Sequence, residues 1–269
     1  MKVKYAFSIL MSEVKSIYSD FRHKREFDKQ LSRLILLKNS RVGDRCFIIG
    51  NGPSLKEQDL LLLKDEYTFI TNHFLNHDQL REMNPSFYCA SDANFFFPNI
   101  NAQWESKLAD LPKTTKLFFS YRASIKRKES KIISRYSSYL LRYHAKKIWE
   151  YNKFQSDVAG FVYTGDTVII DFCLPLAIYM GFSEVYLLGV DCNYSLGPNG
   201  KVSYGFRAED VNTSRRSDSY LQGTWLDNVF ESYRVVKGST DINIYDATQG
   251  GHLDVFPKVE YSSIVGIKK

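Results

Sequence analysis

The sequence predicts one α/β domain built on a mostly parallel sheet, preceded by an amphipathic helix and interrupted by a basic helical insertion. Three observations predict it. Short apolar runs alternate with helix-like stretches, the rhythm of parallel strands joined by right-handed crossovers. The runs end in polar residues, Asn51, Asn72, Ser91 with Asp92, and Asp191, at the strand ends where open parallel sheets bind ligands. The chain has 269 residues, 44% of them hydrophobic, enough to bury a full core.

Taken in order, residues 1–44 form a basic amphipathic segment. Phe7, Leu10, Val14, Ile17, Tyr18 and Phe21 recur every three or four positions, an apolar stripe that fits either a membrane surface or the domain itself. The domain proper is expected over 45–269. Its first strand, Cys46–Ile49, runs into Gly50-Asn51-Gly52-Pro53-Ser54. Gly50 and Gly52 leave no Cβ between the backbone and a bound group, and Pro53 suits a first helical position. A helix over 56–63 is expected next, then strands at 67–71, 86–90 and 116–120. Residues 121–160 are expected to be a basic insertion, helical to about 150 and irregular beyond. Thr164-Gly165-Asp166-Thr167 caps an apolar helix over 168–180, closed by Gly181. A strand at 184–188 leads to Gly189-Val190-Asp191, and residues 192–217 form a long polar loop containing Asn193, Tyr194 and Tyr204. Loops of that length inside compact domains are usually functional. A helix over 224–237 and a strand over 241–245 complete the pattern.

Charge is unevenly spread. Residues 1–41 hold ten Lys and Arg against four Asp and Glu, and residues 122–150 hold nine against two. Two basic segments on an acidic body suit a local anionic partner such as a membrane surface. No apolar run of about 20 residues predicts a transmembrane helix, and the N-terminus, without a small-residue cleavage site, is expected to be retained. The four cysteines lack metal-ligand spacing and read as buried free thiols of a reducing, cytoplasmic setting.

Several chemistries find no support. There is no phosphate-binding G-x-x-x-x-G-K-[ST], no G-x-S-x-G elbow, and the glycine turn lacks the third Gly of a dinucleotide fingerprint. No nucleic-acid module is recognisable, so no nucleic-acid partner is expected. His73 and His77 stand four apart without a third ligand, and no metal site is expected from them. The glycine turn and the start of the following helix remain, a pairing that suits phosphate.

The ordered motifs Gly50-Asn-Gly-Pro-Ser-Leu55, Met180-Gly-Phe-Ser-Glu-Val-Tyr-Leu-Leu-Gly-Val-Asp191 and Asp246-Ala-Thr-Gln-Gly-Gly-His-Leu-Asp-Val-Phe-Pro257 resemble the MptE-like family. That family is named for an archaeal 6-hydroxymethylpterin diphosphokinase, and its bacterial members accompany surface-polysaccharide and flagellar glycosylation systems. The resemblance covers roughly 45–262 and extends to the motility-accessory flagellin glycosyltransferases. The first two motifs are also similar to the family 42 sialyltransferases, which have a Rossmann-like, variant GT-A-like domain, use CMP-sialic acid, invert the anomeric centre and need no metal. By that resemblance, Asn51 and the Gly50 and Gly52 backbone hold the nucleotide phosphate, with Ser54 adding a polar contact. Asn72, Ser91 and Asp92 contact sugar or ribose. Thr164, Gly165 and Thr167 line the donor, with Asn193 and Tyr194 nearby, and Tyr204 stabilises the departing phosphate. Where the sialyltransferases place a histidine base, this chain has Ser219-Tyr-Leu-Gln-Gly-Thr224. His252, Asp191 and Asp227, in that order, are the candidates to replace it.

The expected function is an inverting glycosyltransferase of surface-glycan assembly, peripheral at the inner face of the membrane. It would take a nucleotide-sugar donor, a CMP-linked acidic sugar by preference, and a glycan or lipid-linked acceptor, with no cofactor required. Two alternatives stay open. One is a diphosphokinase using ATP and Mg²⁺ held by carboxylates such as Asp92 and Asp191. The other is a non-catalytic nucleotide-binding partner in a glycan-assembly complex. The oligomeric state is not legible.

Overall fold

The computed structural model describes residues 24–91, 104, 106–121, 138–193 and 224–266. In chain order these form α1 (Lys24–Ile35), β1 (Arg45–Ile49), β2 (Tyr67–Thr71), α2 (Leu80–Met83), β3 (Phe87–Ala90), β4 (Lys116–Ser120), β5 (Ser138–Leu141), β6 (Tyr143–Lys147), α3 (Ile148–Tyr151), β7 (Val162–Thr164), α4 (Leu174–Met180), β8 (Glu184–Leu188), α5 (Thr224–Gly238), β9 (Asn243–Asp246) and α6 (Tyr261–Ile264).

The described strands build a seven-stranded sheet in the order β5-β4-β3-β2-β1-β8-β9, and every pairing in it is parallel. β6 and β7 pair separately. After their first residue, β1, β2, β4 and β8 are buried throughout, because a parallel sheet is covered on both faces. The strand side chains divide accordingly. Cys46, Ile48, Phe69, Phe87, Phe118 and Leu187 face a core completed by α4 and α5. Phe47, Ile49, Ile70, Tyr88, Phe119 and Leu188 face a second core, closed by Leu55, Leu60 and Leu63. From β1 the chain winds outward through β2, β3, β4 and β5, then returns to β1's other side as β8. The reversal point, where ligand crevices form in such sheets, lies between β1 and β8.

The strands at 67–71, 116–120 and 184–188 have the expected bounds, and those near 86–90 and 241–245 shift by one or two residues. Other expectations need correction. The segment 56–63 is not an α-helix but two 3₁₀ turns, Pro53–Glu57 and Leu60–Leu63. Asp59 divides them, its side chain accepting from the Leu61 amide and starting the second turn afresh. The described part of the basic insertion is extended over most of the stretch where a helix was expected, and helical only at Ile148–Tyr151: Ser138–Leu141 adds the edge strand β5, with Leu140 and Leu141 buried. The stretch 151–163, expected to be irregular, includes the end of α3 and the start of β7. The helix over 168–180 begins as a π turn, Ile169–Cys173. Pro175 has no N–H to offer the Asp171 carbonyl, so a regular α ladder cannot pass through this point. Gly181 then ends α4 in the left-handed conformation (φ 86°), as its position implied.

The predicted apolar stripe from Phe7 to Phe21 lies outside the described residues. The helix that follows it packs on the domain: Arg33 donates to the Ser138 carbonyl at 2.6 Å, Gln30 accepts from the Leu140 amide, and Leu34 joins the core. All four cysteines are free and buried. Among the described residues no helix is long and apolar enough to cross a membrane.

Candidate functional site

The glycine turn after β1 lies against the turn after β8. The Gly50 amide donates to the Leu188 carbonyl (2.8 Å) and the Gly52 amide to the Gly189 carbonyl (2.9 Å). Ser54 donates twice to Asp191, from its amide to Oδ1 (3.0 Å) and from its hydroxyl to Oδ2 (2.8 Å). The backbones approach so closely that a Cβ on Gly52 would lie 1.7 Å from Asp191 Oδ2. A Cβ on Gly50 would lie 2.4 Å from the Gly189 carbonyl oxygen. These contacts revise the phosphate reading. The amides of Gly50, Gly52 and Ser54 are already donated within the protein, Pro53 has none, and only a five-residue 3₁₀ turn follows. The turn is a lock between β1 and β8, and the anion it holds is the Asp191 carboxylate. Burial raises the Asp191 pKa, and the two Ser54 bonds oppose that shift.

What the turn leaves open is the Asn51 side chain. Its Nδ2 donates to Thr71 Oγ1 (3.0 Å), and the Thr71 hydroxyl donates to the Ile49 carbonyl (3.2 Å). A carbonyl can only accept, so the Thr71 proton points at Ile49 and Thr71 can only accept from Asn51. That polarity orients the amide. Asn51 Oδ1 is buried with no hydrogen-bond partner among the described residues, and so is Asn72 Oδ1, one strand over at the end of β2. Asn72 takes a left-handed conformation (φ 40°), and its carbonyl accepts from the Tyr88 hydroxyl at 3.1 Å. Two orphaned acceptors at adjacent strand ends require donors from elsewhere. Ser91 and Asn193 are half-buried. Asp92, Tyr194 and Tyr204 lie outside the described residues.

The C-terminal motif is a second lock. Asp246 is fully buried, accepting from the Thr248 amide (2.9 Å) and pairing with Lys258. The Thr248 hydroxyl accepts from the Val190 amide at 3.1 Å. The His252 amide donates to the Asp191 carbonyl at 2.8 Å, which carries His252 to the switch point. Its side chain is exposed. With Asp227, Glu231, Arg234 and Asp254 it lines an open groove of about 580 Å³. The fold thus brings two of the three candidate bases, His252 and Asp227, into one groove, while the third, Asp191, is engaged by Ser54. His73 and His77 sit by a 3₁₀ turn, not along one α-helical face, His73 beside Trp104 and His77 stacked on Phe74.

Thr164 and Gly165 are buried and turned inward. Asp171 Oδ1 accepts from the Gly165 amide (2.7 Å) and the Thr164 hydroxyl (3.1 Å). Thr167, half-buried, caps the turn by accepting from the Ile170 amide. Sequence reasoning passed over Asp171, although a lone carboxylate in the apolar run 168–180 was a visible signal. It also passed over Thr71, whose role depends on a partner 20 residues away. Burial pushes the Asp171 carboxyl up to about 7, more than its two hydrogen bonds and Lys147 lower it. The native chain therefore holds a proton there that the unfolded chain releases near pH 3.8. Stability from this group is fully present below that value and is lost as pH rises towards 7, by on the order of 4 kcal/mol at most. Asp171→Asn removes the titration. Its stability relative to the parent chain should rise between pH 4 and 7 and level off above, as read by urea denaturation across that range. A constant difference would show that Asp171 titrates normally.

Fold and site together define an α/β protein on a seven-stranded parallel sheet, with polar side chains gathered at the carboxyl ends of β1, β2 and β8. The chain belongs to the MptE-like family, described as 6-hydroxymethylpterin diphosphokinase MptE-like, which matches residues 21–197. The glycosyltransferase Maf of Magnetospirillum magneticum AMB-1 shares the fold, with a TM-score of 0.52 and 14% identity over 95% of this chain and 43% of that one. The chain thus spans less than half of Maf. The sialyltransferase CstII of Campylobacter jejuni, solved with the substrate analogue cytidine-5'-monophosphate, gives a TM-score of 0.49 and 19% identity over 81% of this chain and 85% of that one. The sialyltransferase Cst-I of the same organism gives 0.47 and 17%, over 80% of each chain. No curated protein sequence is recognisably similar.

Proposed function

We propose that the chain is an inverting glycosyltransferase of surface-glycan assembly that takes a nucleotide-sugar donor, a CMP-linked acidic sugar by preference. The observation that carries this is the pair of orphaned amide oxygens, Asn51 Oδ1 and Asn72 Oδ1. Phosphate oxygens also only accept, so they cannot satisfy this pair. Ribose or sugar hydroxyls and a base amino group can. Asn51 therefore contacts the nucleoside or sugar, and the leaving phosphate is left to other groups, Tyr204 first among them by the motif resemblance. The preference for CMP rests on that resemblance, and the fold shared with Maf fits a glycosyl transfer.

The acceptor enters by the groove, where His252 is the general base. It is exposed, it is held at the switch point by its backbone, and it shares the open groove with Asp227, Glu231 and Asp254. Asp227 ranks second. Asp191, with both oxygens bonded to Ser54, is withdrawn from that role. The basic segments hold the chain at the cytoplasmic face of the membrane, near a glycan or lipid-linked acceptor. The reaction as proposed requires no metal ion.

The family's description supports a second reading, pyrophosphate transfer from ATP to a pterin. That chemistry needs Mg²⁺ on free carboxylates. Asp191 is already engaged, and no group of three or more His, Cys, Asp or Glu among the described residues could hold a metal, so these residues do not fit the ion.

Release of CMP from CMP-linked nonulosonic acids, with and without glycan acceptors, tests the proposal. His252→Ala should lower kcat by about 10²-fold or more while leaving CMP affinity unchanged. AMP formation from ATP and a hydroxymethylpterin, with no CMP release, would favour the diphosphokinase.

A further inference from the structure

A carboxylate outside the proposed chemistry stands behind the 164–167 loop. Asp171 Oδ1 accepts from the Gly165 amide and the Thr164 hydroxyl, and Thr164 Oγ1 in turn accepts from the Asp166 amide at 3.3 Å. One oxygen thereby organises three consecutive residues. Asp166 sits in the left-handed region (φ 66°), disfavoured outside glycine, and its side chain is tied to Lys147 on β6. The loop abuts α5, since a Cβ on Gly165 would lie 3.2 Å from Ser232 Cβ. That is the helix that carries Asp227 into the groove. Asparagine would accept the same two bonds without desolvating a charge, so folding alone does not call for a carboxylate.

We propose that Asp171 is a positioning residue for the nucleotide-sugar: its carboxylate holds residues 164–167 in the shape that accepts the ligand. The proposal rests on the reading that this loop lines the donor. The charge-assisted bonds from Gly165 and Thr164 are strongest when Asp171 is ionised and weaken when it takes a proton. Among the described residues, the other titratable groups that act electrostatically with Asp171 are Asp166 in the loop, Lys147 on β6 and Cys173 on its own turn. The approach to the ligand is thus set from behind, by a residue that never touches it.

Two measurements on the full chain test this, each comparing the parent with Asp171→Asn. The first is hydrogen exchange at the Gly165 amide without ligand, corrected for the intrinsic pH dependence of exchange. The Gly165 bond favours the ionised form of Asp171 while burial disfavours it, so in a local opening that breaks this bond and leaves Asp171 buried, protection in the parent should increase about tenfold between pH 5.5 and 8.5, and stay flat in the variant. The second is calorimetric titration with CMP over the same range. The ratio of the two affinities, in which the titration of the phosphate itself cancels, should move by severalfold in favour of the parent as pH rises. Parallel pH profiles in the exchange experiment overturn the proposal. A pH-dependent difference in exchange with an unchanged affinity ratio confines Asp171 to structure and also overturns it. If CMP binds neither chain, the donor reading and the proposed role toward it fail together, while the exchange data still report whether Asp171 orders the loop. If Asp171→Asn does not fold, Thr164→Val, which removes one of the two bonds, takes its place and should halve the change in protection.

Discussion

Asn51→Ala should fold normally and lose nucleotide affinity by about 30-fold, or roughly 2 kcal/mol. The fold tolerates it because the Thr71 hydroxyl keeps its bond to the Ile49 carbonyl when the Asn51 amide is gone, and a half-buried polar turn residue lies outside the apolar core. Binding suffers because the substitution deletes the acceptor that the site otherwise lacks a partner for. The proposed contact is to a hydroxyl or amino group, so cytidine should lose as much affinity as CMP. A loss confined to CMP would place Asn51 on the phosphate instead. Thr71→Val, which frees the Asn51 amide without removing it, should cost only severalfold.

Gly52→Ala should be the more damaging change to the protein itself. The difficulty is space and not backbone conformation, since Gly52 is extended (φ −69°, ψ 155°). A methyl group would lie 1.7 Å from Asp191 Oδ2 and 2.7 Å from the Gly189 carbonyl. Relief requires the two turns to separate, which breaks the Ser54–Asp191 and Gly52–Gly189 bonds together. The expected loss is about 3 kcal/mol or more, at the upper end for single substitutions. Urea denaturation measures it. The double variant Gly52→Ala/Asp191→Ala should be more stable than the sum of the two single losses, because removing the carboxylate makes room. Strict additivity would mean the clash lies elsewhere.

Much of the fold was legible because parallel strands leave a plain trace. Tyr67–Thr71, Lys116–Ser120 and Glu184–Leu188 are apolar runs bounded by polar residues, and their limits coincide with the strands. Local signals failed where a single residue overrode the pattern. Asp59 splits a helix-like stretch into two turns, and Pro175 turns the start of a helix into a π turn. The strands at 138–147 were concealed by the basic composition of their surroundings. The site was legible as a set of strand ends, since Asn51, Asn72 and Asp191 were all marked by following apolar runs. Their division of labour was not. That Asp191 takes the Ser54 amide, 137 residues away in sequence, makes the glycine turn a lock, and spacing carries no trace of such a pairing. The direction of the Asn51 amide likewise depends on Thr71 and Ile49, which only the sheet brings together.

The site at the carboxyl ends of β1, β2 and β8 is proposed to bind the nucleoside part of a sugar donor without a metal ion. Calorimetric titration of the full chain with CMP, UDP, GDP and ATP, each in Mg²⁺ and in EDTA, tests it most directly. The account predicts that CMP binds with the same Kd in both conditions and that Asn51→Ala weakens it. Binding confined to ATP in the presence of Mg²⁺ would contradict it.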